Sequence, residues 1–306
     1  MSEHAPASGA ADPLDLHGVI PPTLTAFDGT ENVDYGGTAA QAEFVVDQGV
    51  HAVFPLGTNG EFPLLSGDER ERVVETVVDA VGDEVPVIAG VGAPGTRETV
   101  EHAERAARAG ADGLVVVTPY YFPLEHDGAV EHYRQVAGAV DLPIYVYHIP
   151  PRTGNTLAPE TMREIATIDG IAGLKDTSED VPWLDRVMAD NPNLTYLAGS
   201  NALLYTGLEL GCSGMVSSVA NVFPKLVVNL YDAFDEGDRT RAQELQRQVL
   251  GVIAAFDRGP YMAAVKTALS LRDVDVDPGP LRSPLRRLDN EETAALKADL
   301  AESDLL

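Results

Sequence analysis

Short apolar stretches alternate with segments of helical periodicity eight times along this chain. Most of these stretches are nearly continuous apolar runs, which is typical of parallel strands that are covered on both faces. They are GVIPPTLTAF (18–27), HAVFPLG (51–57), VPVIAGVG (85–92), GLVVVTPYY (113–121), PIYVYHIP (143–150), IAGLKDTS (171–178), LTYLAGS (194–200) and GMVSSVAN (214–221). We therefore predict eight buried parallel strands, separated by helices.

The intervening segments place their apolar residues on one face of a helix. In SGDERERVVETVVDAVG (66–82), the valines between Val73 and Val81 form a stripe, and acidic residues favour the N-terminal end. Eight β-then-α units over about 220 residues are the pattern of a (β/α)₈ TIM barrel. The alternative is a doubly wound open sheet, which usually carries a phosphate-binding glycine fingerprint. GVGAPG (90–95) lacks the spacing of that fingerprint.

Beyond residue 222 the pattern becomes helical. We predict the eighth barrel helix at 224–238 and then a small C-terminal appendage of three helices, at 240–257, 260–271 and 290–303, with a Pro-rich connector over 276–288. The predicted domains are a flexible N-terminal arm (1–15), a catalytic barrel (16–238) and the helical appendage (239–306).

The charge balance is extreme, with 48 acidic against 21 basic residues and a net charge of −27. Such a field repels nucleic acid and anionic lipid surfaces, so we expect neither as a partner. It also suits a protein kept solvated in high salt, which predicts a halophilic source. The N-terminus resembles no signal peptide, and no apolar run approaches the ~20 residues of a membrane span, so we expect a cytoplasmic protein. The single cysteine, Cys212, is expected to be a packed small residue.

Polar side chains that can do chemistry gather at the predicted C-terminal ends of the strands, where barrels carry their functional groups. These ends read PLGTNGEF (55–62), TPYY (118–121), YHIPPRTG (147–154), LKDTS (174–178), GSN (199–201) and SSVAN (217–221). The seven histidines show no metal-ligand spacing, so we expect no metal. His148 follows Tyr147 on a strand and should point to the opposite side, which indicates a structural role.

Lys175 is the one lysine of four that falls in a predicted strand; the others are Lys225, Lys266 and Lys297. Burial disfavours an ammonium ion and lowers its pKa, and a neutral amine is the nucleophile that forms a Schiff base with a ketone. The alternative is a lysine that pairs with Asp176 or extends to solvent. Because adjacent strand residues face opposite ways, pairing with Asp176 is disfavoured.

A Schiff-base lysine needs a proton shuttle and an anchor for the substrate carboxylate. Tyr147 ends the strand before that of Lys175, so its phenol could serve as the shuttle. GTNGE (57–61) is a tight turn whose backbone N–H groups and Thr58 hydroxyl could hold a carboxylate. Tyrosines at strand ends more often pack and glycine turns more often only turn, but the three features together favour an active site.

This combination resembles the dihydrodipicolinate synthase/N-acetylneuraminate lyase superfamily of class I, pyruvate-dependent aldolases, over roughly residues 16–300. GTNGE, TPYY, Y-x-x-P-x-R-T-G and G-L-K-D-T-S stand in the order and spacing of that family. The resemblance implies a barrel with three C-terminal helices, Lys175 as Schiff-base former and Tyr147 as acid/base phenol. It also implies Thr58 as relay and carboxylate contact, Tyr121 reaching a neighbouring subunit's relay, and a homotetramer built as a dimer of dimers.

The prediction of the substrate depends on two positions. Arg152 matches the arginine that the synthases of the family use for a second carboxylate, whereas Asn59 stands where those synthases usually carry a hydroxyl. An amide can donate to a carboxylate but cannot pass a proton along a hydroxyl chain. We therefore expect an aldolase that cleaves a 2-oxo acid of the 2-keto-3-deoxygluconate type, or its 6-phosphate, with Ser200 and Val216 also in the substrate site and no cofactor.

Three alternatives stay open at this point. A 4-hydroxy-tetrahydrodipicolinate synthase would condense pyruvate with aspartate semialdehyde, and a 2-keto-3-deoxy-acid dehydratase would use the same residues. A catalytically dead barrel would serve as a sensor or scaffold, but such a protein is not expected to retain both Lys175 and Tyr147.

Overall fold

The computed structural model describes residues 14–303, in which seven parallel strands form one curled sheet. The strands are β1 (Gly18–Ile20), β2 (Ile88–Gly90), β3 (Gly113–Val117), β4 (Ile144–His148), β5 (Ile171–Asp176), β6 (Thr195–Ala198) and β7 (Gly214–Val216). Their order is β1-β7-β6-β5-β4-β3-β2, so β1 and β2 are its two edges. The parallel α/β class is thus confirmed.

The predicted second strand, 51–57, is not a ladder strand but an extended segment that lies between the two edges. On one side, the His51 N–H donates to the Val19 carbonyl at 2.9 Å. On the other, the Ile88 N–H donates to the Val53 carbonyl at 2.9 Å, and residue 53 forms an isolated parallel bridge with Val87. Pro55 cannot donate, which shortens the ladder here. With this segment in place, the curled sheet has a TIM-barrel-like form.

Helices surround the sheet. They are α1 (Tyr35–Asp47), α2 (Gly67–Val81), α3 (Thr96–Arg108), α4 (His126–Ala137), α5 (Pro150–Thr153), α6 (Pro159–Ile165), α7 (Val181–Asp190), α8 (Leu204–Leu210), α9 (Pro224–Asp235), α10 (Arg239–Phe256), α11 (Tyr261–Ser270) and α12 (Asn290–Glu302). Helix α2 begins with a capping box of Ser66 and Glu69 and buries Val73, Val74, Val77 and Val81, as its periodicity predicts.

The C-terminal helices lie over one side of the sheet. Helix α10 packs against α9, and α11 and α12 pack on α10. Their apolar faces share one buried cluster with Val19, Val53 and the inner faces of α1 and α9. This packing brings the start of α11 to the end of the sheet where Lys175 lies.

The predicted arm, 1–15, lies outside the described residues except for Leu14 and Asp15. The Tyr145 hydroxyl donates to the Leu14 carbonyl at 3.3 Å, which fixes that point against β4. Within residues 14–303, no helix has the length and apolar character needed to cross a membrane.

Candidate active site

The register of β4 and β5 places two pairs of side chains on opposite sides of the sheet. Tyr147 pairs with Lys175, and His148 pairs with Asp176. His148 Nδ1 lies 2.9 Å from Asp176 Oδ1, and its ring stacks on Trp183 at 4.0 Å between centroids. Both predictions, that His148 has a structural role and that Asp176 faces away from Lys175, agree with this arrangement.

Lys175 is buried without a carboxylate. Only 3% of its surface is exposed, and its Nζ donates to Thr177 Oγ1 at 2.9 Å. The same Nζ lies 3.4 Å from the centre of the Tyr147 ring. Burial lowers the pKa of Lys175, against opposing effects of Tyr147 and Asp176. Among residues 14–303, no carboxylate forms an ion pair with this lysine. Loss of the proton from Lys175 therefore leaves no buried carboxylate without a counter-charge.

The pKa of Tyr147 is lowered as well, but by its neighbours and not by burial. Burial by itself would raise the pKa of its phenol. The positive charge of Lys175 and hydrogen bonding with Lys175, Thr58 and Thr177 outweigh burial and lower that pKa. A phenol in this state can give up and take back a proton more easily than a free tyrosine.

Gly199, at the end of β6, makes room for the lysine. A Cβ atom at this position would lie 2.2 Å from Thr177 Oγ1 and 2.8 Å from Lys175 Nζ. Both distances are far below van der Waals contact, so a larger residue would displace the reactive amine.

The GTNGE turn lies beside Tyr147 and Lys175, because Thr58 hydrogen-bonds with Tyr147. Thr58–Gly60 is one turn of 3₁₀ helix. Asn59 is buried, and its Nδ2 has no hydrogen-bond partner within residues 14–303. Since a buried donor without a partner is costly, an acceptor from outside the chain fits here.

A cavity of about 260 Å³ joins these elements. Its lining includes seven predicted site residues, namely Thr58, Asn59, Tyr147, Arg152, Lys175, Ser200 and Val216. Tyr121 does not line this cavity: it is 83% exposed, has φ +82° and packs edge-on against the exposed Phe122. The predicted contact of Tyr121 with another subunit is not tested by a single chain.

Most of a hydroxyl-rich wall of this cavity was not predicted from the sequence. Asn201 Nδ2 donates to Ser218 Oγ at 2.6 Å, and that hydroxyl lies 2.6 Å from the Tyr261 hydroxyl. Glu179 Oε1 accepts from Ser200 Oγ at 2.8 Å. The strand ends GSN and SSVAN pointed to part of this wall, but Tyr261 comes from α11, which no strand-end motif could identify.

Cys212 is a buried thiol. Burial raises the pKa of the Cys212 thiol to about 12, in keeping with the predicted packing role. In the described part of the chain, no three His, Cys, Asp or Glu side chains are grouped so that they could hold a metal ion.

Comparisons with known proteins agree with this geometry. Residues 15–303 match the Dihydrodipicolinate synthetase family. An uncharacterized DapA-like lyase of Halobacterium salinarum is 63% identical over 306 residues, which is 100% of both chains. The 4-hydroxy-tetrahydrodipicolinate synthase of Natronomonas pharaonis is 40% identical over 93% of this chain and 97% of its own. YagE of E. coli K12, a prophage protein of the dihydrodipicolinic acid synthase family in complex with pyruvate, has a similar structure, with a TM-score of 0.91 and 33% identity over 95% of this chain and 99% of that one.

Proposed function

This chain belongs to the dihydrodipicolinate synthetase family of Schiff-base lyases, and we propose that it cleaves a 2-keto-3-deoxy sugar acid to pyruvate and an aldehyde. The observation that carries the proposal is the buried Lys175 amine, which forms no ion pair with a carboxylate of residues 14–303 and lies 3.4 Å from the centre of the Tyr147 ring. Imine formation requires a nucleophile and a group that transfers protons, and a neutral amine beside a phenol provides both.

The reaction begins when the lone pair of Lys175 Nζ attacks the C2 ketone of the substrate. The resulting carbinolamine loses water and becomes a protonated imine. Tyr147, as phenolate, then removes the proton of the C4 hydroxyl. The C3–C4 bond breaks, C4 leaves as the aldehyde, and the electron pair of the bond moves into the imine to give an enamine.

The cycle closes with two further steps. A proton returns to C3 of the enamine, which restores the imine of pyruvate. Water then adds to C2, and collapse of the carbinolamine releases pyruvate and the free amine. The lowered pKa of Tyr147 suits a group that exchanges protons repeatedly, and Thr58 and Thr177 supply hydroxyls beside it.

The polar lining of the cavity supports a sugar acid as substrate. Asn59 Nδ2, which has no hydrogen-bond partner within residues 14–303, is suited to donate to the carboxylate next to C2. Hydroxyl and amide groups for a chain of hydroxyls come from Ser200, Asn201, Ser218 and Tyr261. Arg152 lines the same cavity and would contact the distal hydroxyls or a terminal phosphate.

Arg152 also favours the second candidate, a 4-hydroxy-tetrahydrodipicolinate synthase. Its guanidinium forms no ion pair within residues 14–303 and lines the cavity, so it could bind the carboxylate of aspartate semialdehyde. Several relatives at 33–40% identity bear the name of that synthase. A dehydratase of the same sugar acids would use Lys175 and Tyr147 in the same way.

The decisive experiment compares kcat/KM for cleavage of 2-keto-3-deoxygluconate, with and without a 6-phosphate, against condensation of pyruvate with aspartate semialdehyde. We expect cleavage to dominate. Asn59→Ala should weaken cleavage mainly through KM, by about ten- to a hundredfold, because it removes a hydrogen bond to a charged group. A tenfold or larger preference for aspartate semialdehyde would overturn the assignment and establish the synthase.

Arg152→Ala separates the two reactions further. In an aldolase it should impair cleavage of long substrates and leave trapping of pyruvate by borohydride intact. In a synthase it should abolish the condensation. Trapping itself should add one three-carbon unit per chain on Lys175, and Lys175→Ala should not trap.

For Tyr121 we propose the role that the resemblance implies, a contribution to the relay of a neighbouring subunit within a cytoplasmic tetramer. Its exposed ring beside Phe122 supports this proposal. Tyr121→Ala should then lower activity and shift the assembly measured by light scattering. An unchanged assembly with unchanged activity would remove this role.

A further inference from the structure

A second buried lysine makes contacts that converge on the turn carrying Thr58 and Asn59. Lys266, on α11, is 3% exposed. Its ammonium lies 2.8 Å from Glu61 Oε1, and both side chains are almost fully buried. It also donates to the carbonyls of Thr25 at 2.8 Å and Pro280 at 2.9 Å. Unlike Lys175, this lysine therefore has its charge and its donors engaged.

Two of these partners, Thr25 and Glu61, hold the turn directly. Thr25 Oγ1 donates to the Gly60 carbonyl at 2.7 Å. The Glu61 N–H donates to the Thr58 carbonyl at 3.2 Å, and Glu61 itself has φ +55°. Residues other than glycine adopt this left-handed conformation at a cost, so the surroundings must hold Glu61 in place. The buried ion pair with Lys266 does so.

At its other end, the pair is fixed to α11, a helix that also contributes to the lining of the cavity. Lys266 lies four residues after Met262 on α11, so both side chains lie on the same side of that helix. Met262 and Tyr261 line the cavity. The second oxygen of Glu61 accepts from the Arg282 N–H at 3.0 Å, which adds the C-terminal connector. The Glu61–Lys266 pair thus joins the turn to α11.

We propose that Glu61 and Lys266 are positioning residues that set the affinity of the site for the carboxylate of a 2-oxo acid. They do so by fixing the Thr58–Asn59 turn against α11. Neither side chain is among those lining the cavity that holds the Lys175 amine. The inference rests on the proposed Schiff-base function.

Loss of either partner leaves the other charge buried and uncompensated. The turn should then shift away from α11, and Asn59 should lose its position. The Tyr147–Lys175 pair belongs to β4 and β5 and has no contact with Lys266 in the hydrogen-bond network of the site. The turn meets that pair through the Thr58 hydroxyl beside Tyr147, whereas Lys175 keeps its bond to Thr177. Binding of the carboxylate should therefore suffer more than the chemical step.

The test measures how borohydride trapping depends on pyruvate concentration, together with kcat and KM for cleavage. The proteins are the wild type, Lys266→Met, Glu61→Gln and the control Lys297→Met, which alters an exposed lysine on α12. Lys266→Met should raise the half-saturating pyruvate concentration at least about tenfold and change kcat less than about threefold. Glu61→Gln, which keeps size and hydrogen bonding, should show a smaller rise, and Lys297→Met none.

A folded Lys266→Met protein that traps pyruvate with the wild-type concentration dependence overturns the inference. Should Lys266→Met fail to fold, the double variant Glu61→Gln/Lys266→Met, which leaves no lone charge, decides by the same readout, and Glu61→Gln alone decides if the double variant also fails. A wild type that traps nothing on Lys175 would instead refute the proposed function, so the two failures are distinguishable.

Discussion

Tyr147 and Lys175 lie opposite each other on neighbouring parallel strands, and the lysine Nζ is 3.4 Å from the centre of the phenol ring. The same register places His148 opposite Asp176 on the other side of the sheet. The two strands therefore separate a reactive pair from a structural pair. This separation keeps the Asp176 carboxylate away from the amine, so the carboxylate only partly opposes the lowering of the Lys175 pKa by burial.

The Tyr147–Lys175 relationship predicts the pH dependence of imine formation. The neutral amine is the nucleophile, so the trapping rate should rise with pH as Lys175 loses its proton. Because burial lowers the pKa of Lys175, the half-rise should lie below the range of a free lysine. Tyr147 opposes that shift, so Tyr147→Phe should move the half-rise to still lower pH.

Measurement of trapping rates from pH 5 to pH 11 would check this expectation. Tyr147→Phe should also slow cleavage by about 10²–10⁴-fold, the usual contribution of general acid–base catalysis, while trapping persists. A half-rise at the ordinary lysine pKa, or a shift upward in Tyr147→Phe, would contradict the assignment of the pair.

Gly199→Ala should reduce imine formation at Lys175 without replacing any reactive side chain. Its Cβ would lie 2.2 Å from Thr177 Oγ1, 2.7 Å from the Asp176 carbonyl oxygen and 2.8 Å from Lys175 Nζ, so the atoms that hold the amine must shift. Overpacking of this kind costs about 1–3 kcal/mol of stability, and we expect the displaced amine to lower trapping at least about tenfold. Gly95→Ala is the matched control, because a Cβ there meets no heavy atom within 4 Å. Equal trapping by both variants would show that the space at Gly199 is not required.

We expect substitution of His148 to reduce the stability of the fold rather than the catalytic activity. His148→Phe removes the hydrogen bond to the buried Asp176 and leaves that carboxylate less satisfied. We expect a loss of about 1–3 kcal/mol in the free energy of unfolding, measured by urea at constant KCl. His126→Phe breaks the exposed contact with Glu164 and should cost less than about 1 kcal/mol. A catalytic role for His148 would instead appear as lost turnover in a protein of unchanged stability.

The net charge of −27 predicts that stability depends on salt. Self-repulsion is strongest at low ionic strength, where the Debye length reaches ~30 Å at 0.01 M. The melting temperature should therefore rise steeply as KCl increases toward molar concentrations. The 63% identity with a protein of Halobacterium salinarum is in keeping with this expectation. A melting temperature that does not change with KCl would end the halophilic interpretation.

Much of the site could be predicted because strand ends of a parallel barrel converge on one face. Tyr147 and Lys175 lie in the last two residues of β4 and β5, and Thr58 and Asn59 directly follow the extended segment 51–57. An alternation of apolar and helical segments was therefore enough to bring them together. The prediction of the second strand was less accurate, because Pro55 interrupts the ladder of the segment 51–57. The strands are also shorter than the apolar runs: 18–27 keeps strand geometry only over Gly18–Ile20.

Other parts of the site could not be predicted, because they depend on contacts between distant segments. Lys266 reads as one more helical lysine, yet α11 places it against Glu61 and makes it as buried as Lys175. Tyr261 enters the cavity from the same helix. Burial of a lysine therefore does not identify a nucleophile; the partners of its ammonium do.

By itself, the sequence determined the alternation of strands and helices, the set of polar residues at the strand ends, and the opposite orientations of Lys175 and Asp176, since each follows from local periodicity. Only the tertiary structure decided which of two buried lysines lacks a carboxylate, which glycine makes room for it, and which C-terminal helix completes the cavity. The physical reason is that burial and ion pairing depend on neighbours far apart in the chain, and no local pattern encodes those distances.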